Sequence, residues 1–185
     1  MTAAEPRTTY RHGNLYEHAI DAAFEAIILA GHEALSLRKV ANKIGVAHRS
    51  LYHHFADREA LLDAVAKRGF EQLAVELTGS PDKRDFIARY CAFALQQPKI
   101  YALMMSRPHA TMKDKPALQT AVHLSITEAM KHFTDPNEHS EMKRRSVMKM
   151  IILLHGGISL YASGILDVPS DADFIAEVQA MALPV

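Results

Sequence analysis

The 185-residue chain lacks several features that define common protein classes. It has no tryptophan and a single cysteine, Cys91, which excludes an internal disulfide and suits a reducing compartment. No stretch approaches the roughly 20 apolar residues of a membrane span, and residues 1–10 lack the charged-then-apolar pattern of a secretory signal. The sequence therefore predicts a soluble, cytoplasmic protein with no membrane partner.

The chain also lacks an excess of charge of either sign. Its 21 lysine and arginine residues balance 21 aspartate and glutamate residues, so its overall charge does not indicate a polyanionic partner. The local charge is different, because residues 36–58 contain five basic residues and only one acidic residue, Asp57. That segment could therefore attract a polyanion such as nucleic acid.

Motifs of the common enzyme classes are absent. The sequence contains no GxSxG, no phosphate-binding P-loop and no GxGxxG. Eleven histidines suggest a metal sensor as an alternative, but there is no HExxH, no CxxC and no cluster of carboxylates and histidines on one helical face. We therefore expect no enzyme activity, no cofactor and no dedicated metal site. The metal-sensor alternative would use His48, His53, His54, His132 or His139.

The spacing of apolar residues indicates helices along the whole chain. They recur at intervals of three and four, and no hairpin dipeptide separates alternating runs. We predict an all-α fold of about nine helices, with a three-helix N-terminal head followed by a C-terminal helical bundle. The first helix is predicted to begin at Asn14, which resembles a capping box with Glu17, and to end at Gly31. The second is predicted to lie between Ser36, its N-cap, and Gly45. The predicted inward face of the first helix consists of Leu15, Ala19, Ala22, Ala23, Ile27 and Ala30.

The remaining helices are predicted from caps and breakers. A short third helix runs to about His54, and Asp57 caps a long fourth helix that residues 79–81, Gly-Ser-Pro, end. Further helices are predicted from Pro81, from Pro98, over Pro116–Phe133, over residues 140–164 and from Ser170 to about Met181, with residues 106–116 as a loop.

Residues 36–55, SLRKVANKIGVAHRSLYHHF, have the spacing of a helix-turn-helix. Ala41 is small where two helices would cross, and Gly45 can adopt the positive φ that a tight turn requires. The shared core of the two helices is predicted to contain Val40, Ile44, Val46 and Leu51.

The exposed face of the third helix combines hydrogen-bond donors with an aromatic ring. An α-helix fits the major groove of DNA, where its N-terminal residues approach base edges while nearby hydroxyls and cations bind phosphates. The same pattern also fits an alternative, a helical protein-interaction module in which the basic strip is a solvated face. Salt-dependent binding of duplex DNA separates the two. The residues on this face are Ala47, His48, Arg49, Ser50, Tyr52 and His53.

Five short motifs occur in a fixed order between residues 10 and 77. They are Tyr-x-His-Gly at 10–13, Ala-Leu-Ser-Leu-Arg at 34–38, Val-Ala-x-x-Ile-Gly-Val at 40–46, Leu-Tyr-x-His-Phe at 51–55 and Asp-x-Glu-Ala-Leu-Leu at 57–62. In order and spacing this region resembles the DNA-binding domain of the TetR family of bacterial regulators. The resemblance implies a helix-turn-helix DNA-binding domain over 10–56, a connecting helix over 57–78 and a ligand-binding and dimerisation domain over 79–185.

The resemblance also implies roles for individual residues in DNA binding. Arg38 would face a base, and His48, Arg49 and His53 would lie on the recognition helix. Phosphate or sugar contacts would come from Ser36, Ser50, Tyr52, His54 and Arg58. The chain departs from the family pattern at Ala47, where a capping serine is usual, and at Arg58, where a lysine is usual. The first change removes a cap worth about 1 kcal/mol, and the second keeps the charge.

In TetR-like proteins the C-terminal helices form a two-fold dimer and enclose a small-molecule pocket. Around Leu154, His155 and Gly156 the chain resembles a C-terminal subfamily whose motif has Trp before His-Gly. Gly156, Gly157, Ser159 and Ser163 would let a second helix approach closely, either as a dimer seam or within one chain. The predicted pocket residues point inward from the fifth to eighth helices, and each could instead be ordinary core. They are Phe86, Tyr90, Phe93, Met104, His123, Met130, Met148, Ile152 and His155.

The resulting hypothesis is a homodimeric transcription regulator that binds duplex operator DNA. By resemblance it would be a repressor released from a palindromic operator by a small-molecule effector. The sequence identifies neither the effector nor the operator.

Overall fold

The computed structural model describes residues 15–183, with residues 109 and 110 described by their backbone alone. This part of the chain contains nine α-helices, as predicted, and one 3₁₀ helix. The predicted capping box at Asn14 and the motif at residues 10–13 lie outside the described residues. The chain divides into two compact units at the Leu61–Leu62 bond, inside the fourth helix.

The N-terminal unit contains α1 (Leu15–Ala30), α2 (Leu37–Lys43), α3 (His48–Leu51) and the start of α4 (Arg58–Leu77). Its helix ends follow the local sequence. Gly31 has φ +81°, and the Ser36 hydroxyl accepts a hydrogen bond from the backbone N–H of Lys39 at 3.2 Å, which confirms both predicted signals. The Asp57 carboxylate accepts one from the N–H of Ala60 at 2.8 Å at the start of α4.

The turn between α2 and α3 is built on a left-handed glycine. Gly45 has φ +72°, as predicted, and its N–H donates to the carbonyl of Asn42. The next N–H, that of Val46, donates back to the carbonyl of Ala41 at 3.0 Å. This pair of bonds closes the C-terminus of α2 in a Schellman motif and redirects the chain into α3.

Small and branched apolar side chains fill the core of the N-terminal unit. Ala41 and Leu51 are fully buried, and Val40 is 1% exposed, which places α2 directly against its neighbours. Burying one such leucine or valine contributes roughly 1.5–3 kcal/mol. The other buried residues here are Leu15, Ala19, Ile20, Ala22, Ala23, Ile27, Leu35, Leu37, Phe55 and Leu61.

Three sequence-based expectations for this unit are corrected. Ala30 is exposed because it borders an open groove between α1 and α2 and does not enter their packed core. Ile44 and Val46 are only half-buried, since they flank the turn rather than enter the core. The third helix ends at Leu51, and a turn leads from there to His54.

The C-terminal unit contains the rest of α4, α5 (Lys83–Gln96), α6 (Pro98–Met105), a 3₁₀ helix (His109–Asp114), α7 (Pro116–Phe133), α8 (Ser140–Ala162) and α9 (Asp171–Ala182). The 3₁₀ helix corrects the predicted loop at 106–116. Its carbonyls bond over three residues, because Pro108 and Pro116 leave too short a segment for a stable α-helix.

Helix α5 packs against four helices of this unit: α6, α7, α8 and α9. The α5–α9 contact includes a reciprocal polar pair, in which Arg84 donates to the Gln179 side chain at 3.2 Å and the Gln179 amide donates to the carbonyl of Arg84 at 2.8 Å. Buried Phe86, Ile87 and Phe174 supply apolar contact area to the bundle.

Helices α4 and α6 approach closely at a glycine. A Cβ at Gly69 would lie 2.7 Å from the Sδ of Met104 and 3.1 Å from a methyl carbon of Ile100. The missing side chain therefore sets the distance between α4 and α6, next to a residue that lines the cavity described below.

Candidate functional site

The N-terminal unit presents a polar face on α3 and on the start of α2. Arg38, His48 and Arg49 are exposed, and Tyr52 is half exposed at 50%. Leu51 points the opposite way and is fully buried. Helical geometry thus separates a core side from a polar side within one four-residue helix.

Ring contacts hold the exposed aromatic residues of this face in place. The rings of His48 and Tyr52, one helical turn apart, meet edge-on with centroids 5.0 Å apart. On the other side, Tyr16 stacks on Phe55 at 5.1 Å, and the exposed His54 lies 6.3 Å from Tyr16. Tyr16 therefore supports this face, a role that sequence reasoning did not predict because the contact joins α1 to the turn after α3.

Two serines of the predicted DNA interface are half-buried. Ser36 uses its oxygen to cap α2, but its hydroxyl hydrogen remains a donor. Ser50 lies in the first turn of α3. Ala47 occupies the N-cap of α3 with no side-chain hydrogen bond, so this short helix begins without the cap that Ser36 gives to α2.

Arg58, which the sequence predicts at a phosphate or sugar, uses its guanidinium within the unit. Its guanidinium donates to the carbonyls of Leu35 at 3.0 Å and His32 at 2.6 Å, and to the carboxylate of Glu59 at 2.7 Å. These bonds fasten the segment between α1 and α2 to the start of α4. The side chain is turned into the unit because the carbonyls of this segment lie within reach of its guanidinium, so Arg58 acts here as a structural clamp.

Two of the five basic residues counted at 36–58 are also engaged within the unit. Lys43 pairs with Glu25 at 2.6 Å, and Lys39 donates to the carbonyl of Ala34 at 3.0 Å. The basic strip on the polar face is therefore smaller than the sequence count indicates. Arg38 and Arg49 are its exposed arginines.

The C-terminal unit contains a cavity of about 80 Å³. Most of its wall is apolar, and three methionines from α6 and α8 make that wall adaptable in shape. It is lined by Phe70, Leu73, Phe86, Tyr90, Met104, Met105, Arg107, Val122, Ser125, Ile126, Ala129, Met150 and Ile151.

The structure places three of the nine predicted pocket residues, Phe86, Tyr90 and Met104, on the cavity wall. Phe93 is buried but lines a separate groove with residues of α4. The prediction that the other five point inward is corrected, because the helices that carry them turn these side chains outward. His123, Met130, Met148, Ile152 and His155 are all exposed.

Sequence reasoning missed most of the cavity wall. Periodicity identifies Phe70 and Leu73 as apolar residues of the fourth helix, but it cannot say which apolar residues border a gap. Arg107 gave no signal, because it follows α6 in a segment interpreted as a loop.

A chain of polar groups runs from the cavity wall to the surface of α8. The hydroxyls of Tyr90 and Tyr101 are 3.3 Å apart, and the Tyr101 hydroxyl is 3.3 Å from Nδ1 of His155. Burial raises the pKa of Tyr90 to about 12, and it also raises the pKa of Tyr101. Both tyrosines are therefore neutral hydrogen-bonding groups at neutral pH.

An ion cluster adjoins the cavity where Arg107 lines it. Asp63 of α4 is 3.4 Å from the Arg107 guanidinium and 2.6 Å from Nζ of Lys115. The Arg107 side chain is 9% exposed and the Asp63 side chain 16%. The carboxylate is thus bound by two cations and more closely by Lys115.

One face of α8 carries exposed apolar side chains. Met148 is 43% exposed and Ile152 is 65% exposed. Gly156 lies one turn further on, and among the described residues it has no neighbouring atom within 4 Å of the place where a Cβ would stand. Gly157 instead faces Phe174 and Val178 of α9 at 3.5–3.7 Å. The two adjacent glycines therefore differ, since one packs inside the unit and the other faces open space.

Two family descriptions match the chain. Residues 19–65 match "Bacterial regulatory proteins, tetR family", and residues 84–183, more than half of the chain, match "Tetracyclin repressor-like, C-terminal domain". The chain belongs to the TetR family. The family is one of regulatory proteins, which confirms the prediction of a regulator rather than an enzyme. It also confirms the all-α fold with an N-terminal helix-turn-helix.

The relatives of known name are similar over a limited part of the chain. Tetracycline repressor protein class D of Escherichia coli is 44% identical over 50 residues, which cover 27% of this chain and 23% of that protein. Tetracycline repressor protein class A from transposon 1721 of Escherichia coli is 36% identical over 67 residues, covering 36% of this chain and 26% of that protein. The aligned region thus spans about a quarter of the length of these relatives.

Solved structures extend the likeness to almost the whole chain. A protein of unknown function from Rhodococcus sp. RHA1 superposes with a TM-score of 0.75 at 26% identity, covering 95% of this chain and 97% of that one. A TetR transcriptional regulator from Legionella pneumophila has a TM-score of 0.60 at 17% identity over 94% of this chain and 97% of its own, which shows the shared fold.

Among the described residues, no helix is both long and apolar enough to cross a membrane. In the same part of the chain, no three histidine, cysteine or acidic side chains come together as metal ligands would.

Proposed function

We propose that this TetR-family chain is a transcription regulator that binds duplex DNA through the polar face of α3. The observation that carries the proposal is the separation of sides within the helix-turn-helix. Leu51 closes the core while His48, Arg49 and Tyr52 are exposed on the other side, with Arg38 on α2. A helix with such a face fits the major groove of B-DNA.

The exposed side chains divide into base readers and backbone contacts. Arg49 and Arg38 carry the bidentate donors that suit guanine, and His48 and His53 can contact base edges. Tyr52, Ser50 and His54 suit phosphate oxygens, as does the remaining hydroxyl hydrogen of Ser36. Arg58 supports this surface indirectly, because it clamps the segment that precedes α2.

The functions are assigned to three segments of the chain, and the boundary between the two compact units falls inside the connecting segment. We assign DNA binding to residues 10–56, the connection to residues 57–78, and effector binding and dimerisation to residues 79–185. A cytoplasmic location accords with a DNA target. Family membership favours a repressor that leaves its operator when an effector binds.

Dimerisation is assigned to the exposed face of α8. Met148 and Ile152 present apolar surface, and Gly156 leaves room for a second helix. A two-fold dimer presents two heads, which matches two half-sites of a palindrome about one helical turn of DNA apart.

The effector site is assigned to the cavity in the C-terminal unit. Its apolar wall and few polar groups are typical of small-molecule sites. An effector bound there regulates DNA binding only if its affinity differs between the DNA-bound and released states, because equal affinity shifts neither population.

The decisive experiment is selection from a random duplex library with the purified full chain. The selected sequence is then bound at two salt concentrations. We expect an enriched palindrome and a steep loss of affinity with salt, because bound phosphates release counterions. A folded protein that enriches no sequence and shows no salt-dependent binding would contradict the proposal and favour a protein-interaction module.

A further inference from the structure

Among the thirteen described residues that line the cavity, one carries a charged side chain, Arg107. This arginine is nine-tenths buried, at 9% exposure. Its guanidinium also lies within 3.0 Å of the Ser106 hydroxyl, which fixes it at the end of α6. A buried guanidinium is planar and permanently charged, and its fork of donors matches a carboxylate.

The other polar atoms of the wall are neutral and already bonded. The Ser125 hydroxyl donates to the carbonyl of Phe70 at 3.2 Å, and the Tyr90 hydroxyl is paired with Tyr101. Charge recognition in the cavity therefore depends on Arg107. The rings of Phe70 and Phe86 and the thioethers of Met104 and Met150 provide the apolar surroundings.

Asp63 does not need Arg107 to remain paired. Lys115 holds the same carboxylate at 2.6 Å, closer than the 3.4 Å to Arg107. A ligand carboxylate can therefore take over donors of Arg107 while Asp63 keeps Lys115. The exchange avoids the large penalty of leaving a buried charge without a partner.

We propose that the cavity binds a small monocarboxylate with a compact apolar body, its carboxylate on Arg107 and its body among the aromatic and methionine side chains. The inference rests on the proposed function, in which this cavity is the effector site, and it adds the chemical class of the effector. The exchanged partner, Asp63, belongs to α4, so ligand binding changes an ion pair of the helix that leads to the DNA-binding head.

The first test uses three probes of nearly one shape and different charge: benzoate, benzyl alcohol and benzylamine at pH 7. Isothermal titration of the full-length protein measures each Kd. We expect benzoate to bind about tenfold more tightly than benzyl alcohol, because a hydrogen bond between charged groups increases the affinity by about that factor. Benzylamine should bind most weakly, because its positive charge is repelled by the guanidinium. Equal affinities, tighter binding of the alcohol, or no binding of any probe would overturn the proposal.

Two variants test whether the preference for the negatively charged probe depends on Arg107. Arg107→Gln should weaken benzoate binding about tenfold and leave benzyl alcohol unchanged, with Asp63 still paired to Lys115. Asp63→Asn removes the competing carboxylate and should tighten benzoate binding several-fold. The matched control is Arg144→Gln, which replaces an exposed arginine of α8 outside the cavity. This variant should change neither the affinity for benzoate nor the affinity for benzyl alcohol. Benzoate affinity unchanged in both cavity variants would contradict the assignment to Arg107.

Failure of this inference is distinguishable from failure of the proposed function. If the library selection yields a palindrome but the probes show no preference for negative charge, the regulator stands and the carboxylate class is wrong. If benzoate is preferred through Arg107 but no DNA sequence is enriched, the site chemistry stands and the regulatory role fails.

Discussion

The two short helices of the helix-turn-helix begin with residues of opposite capping ability. Ser36 accepts a hydrogen bond from the N–H of Lys39, whereas Ala47 has no side-chain oxygen to offer. Ala47 nonetheless has the extended backbone of an N-cap, with φ −63° and ψ 134°. The position is therefore ready for a cap that the sequence does not supply.

Ser36→Ala and Ala47→Ser should have opposite effects on local stability. The first removes a cap and the second adds one, so the free energy of local opening should fall and rise by about 1 kcal/mol respectively. Amide hydrogen exchange of residues 36–55 measures both. Slower exchange is expected in Ala47→Ser, and an unchanged rate there would mean that the hydroxyl does not reach the N–H groups of α3.

Cys91 is a fully buried thiol in α5. Burial raises its pKa to about 12 from an ordinary value of 9.0, so the thiolate is scarce at neutral pH. The folded state favours the neutral thiol, and the stability that this contributes is present below pH 9 and lost as the pH rises towards 12.

We expect Cys91 to react slowly with a disulfide reagent at pH 8 in the folded protein and rapidly in denaturant, since the thiolate is the nucleophile. Absorbance of the released thiol follows both reactions. Equal rates in the two states would show that α5 opens readily in the native protein.

Arg38 and Tyr52 are exposed, so they can be removed without cost to the core. Arg38→Ala should weaken binding of the selected operator by about 1–3 kcal/mol, and Tyr52→Ala should weaken it with less effect on sequence preference. Gel shift or fluorescence anisotropy measures the loss, and circular dichroism checks that helicity is retained. Lys131→Ala, an exposed residue of α7, is the control that should bind normally. Loss of helicity would contradict the surface assignment.

At the scale of elements, α2 and α3 depend on each other and on α1 for burial. Neither is long enough to be stable alone, because an isolated helix shorter than about 12 residues is marginal in water. Val40 and Leu51 are the points where these short helices meet the core, at 1% and 0% exposure.

Val40→Asp or Leu51→Asp should unfold the N-terminal unit, because an unpaired buried carboxylate costs several kcal/mol. Limited proteolysis should cut residues 15–61 and leave the C-terminal unit intact. Asn42→Asp places the same charge on the exposed side of α2 and should remain resistant. Retained resistance in both core variants would refute the core assignment.

At the scale of the whole molecule, self-association would bury exposed apolar surface on α8. Ile152 is 65% exposed in the single chain, whereas the core residues of the bundle are buried. A charge placed at the centre of such an interface would be desolvated without a partner.

Ile152→Glu should therefore shift the chain from dimer to monomer. Sedimentation velocity measures the change. Val75→Glu, which replaces an equally exposed apolar residue of α4 at 73% exposure, should leave the dimer intact and serves as the control. A dimer that persists in Ile152→Glu would place the interface on another surface.

The sequence by itself determined the features that depend on neighbours along the chain. Ser36 caps α2 because its hydroxyl is three residues from Lys39, and Gly31 and Gly45 adopt positive φ where a helix must end. The alternation of buried Leu51 with exposed Arg49 and Tyr52 follows from helical periodicity alone. These local rules were sufficient to predict the all-α fold and the polar face of α3.

Only the tertiary structure decided which side chains meet across the fold. Arg58 turns inward because carbonyls of Leu35 and His32 lie within reach, a contact over more than 20 residues that periodicity cannot encode. The cavity is a gap between five helices, so its wall depends on how they pack. The orientation of α7 and α8 about their own axes places His123 and Ile152 outside the cavity. Arg107 reached the wall, beside Asp63, because α6 ends there against α4.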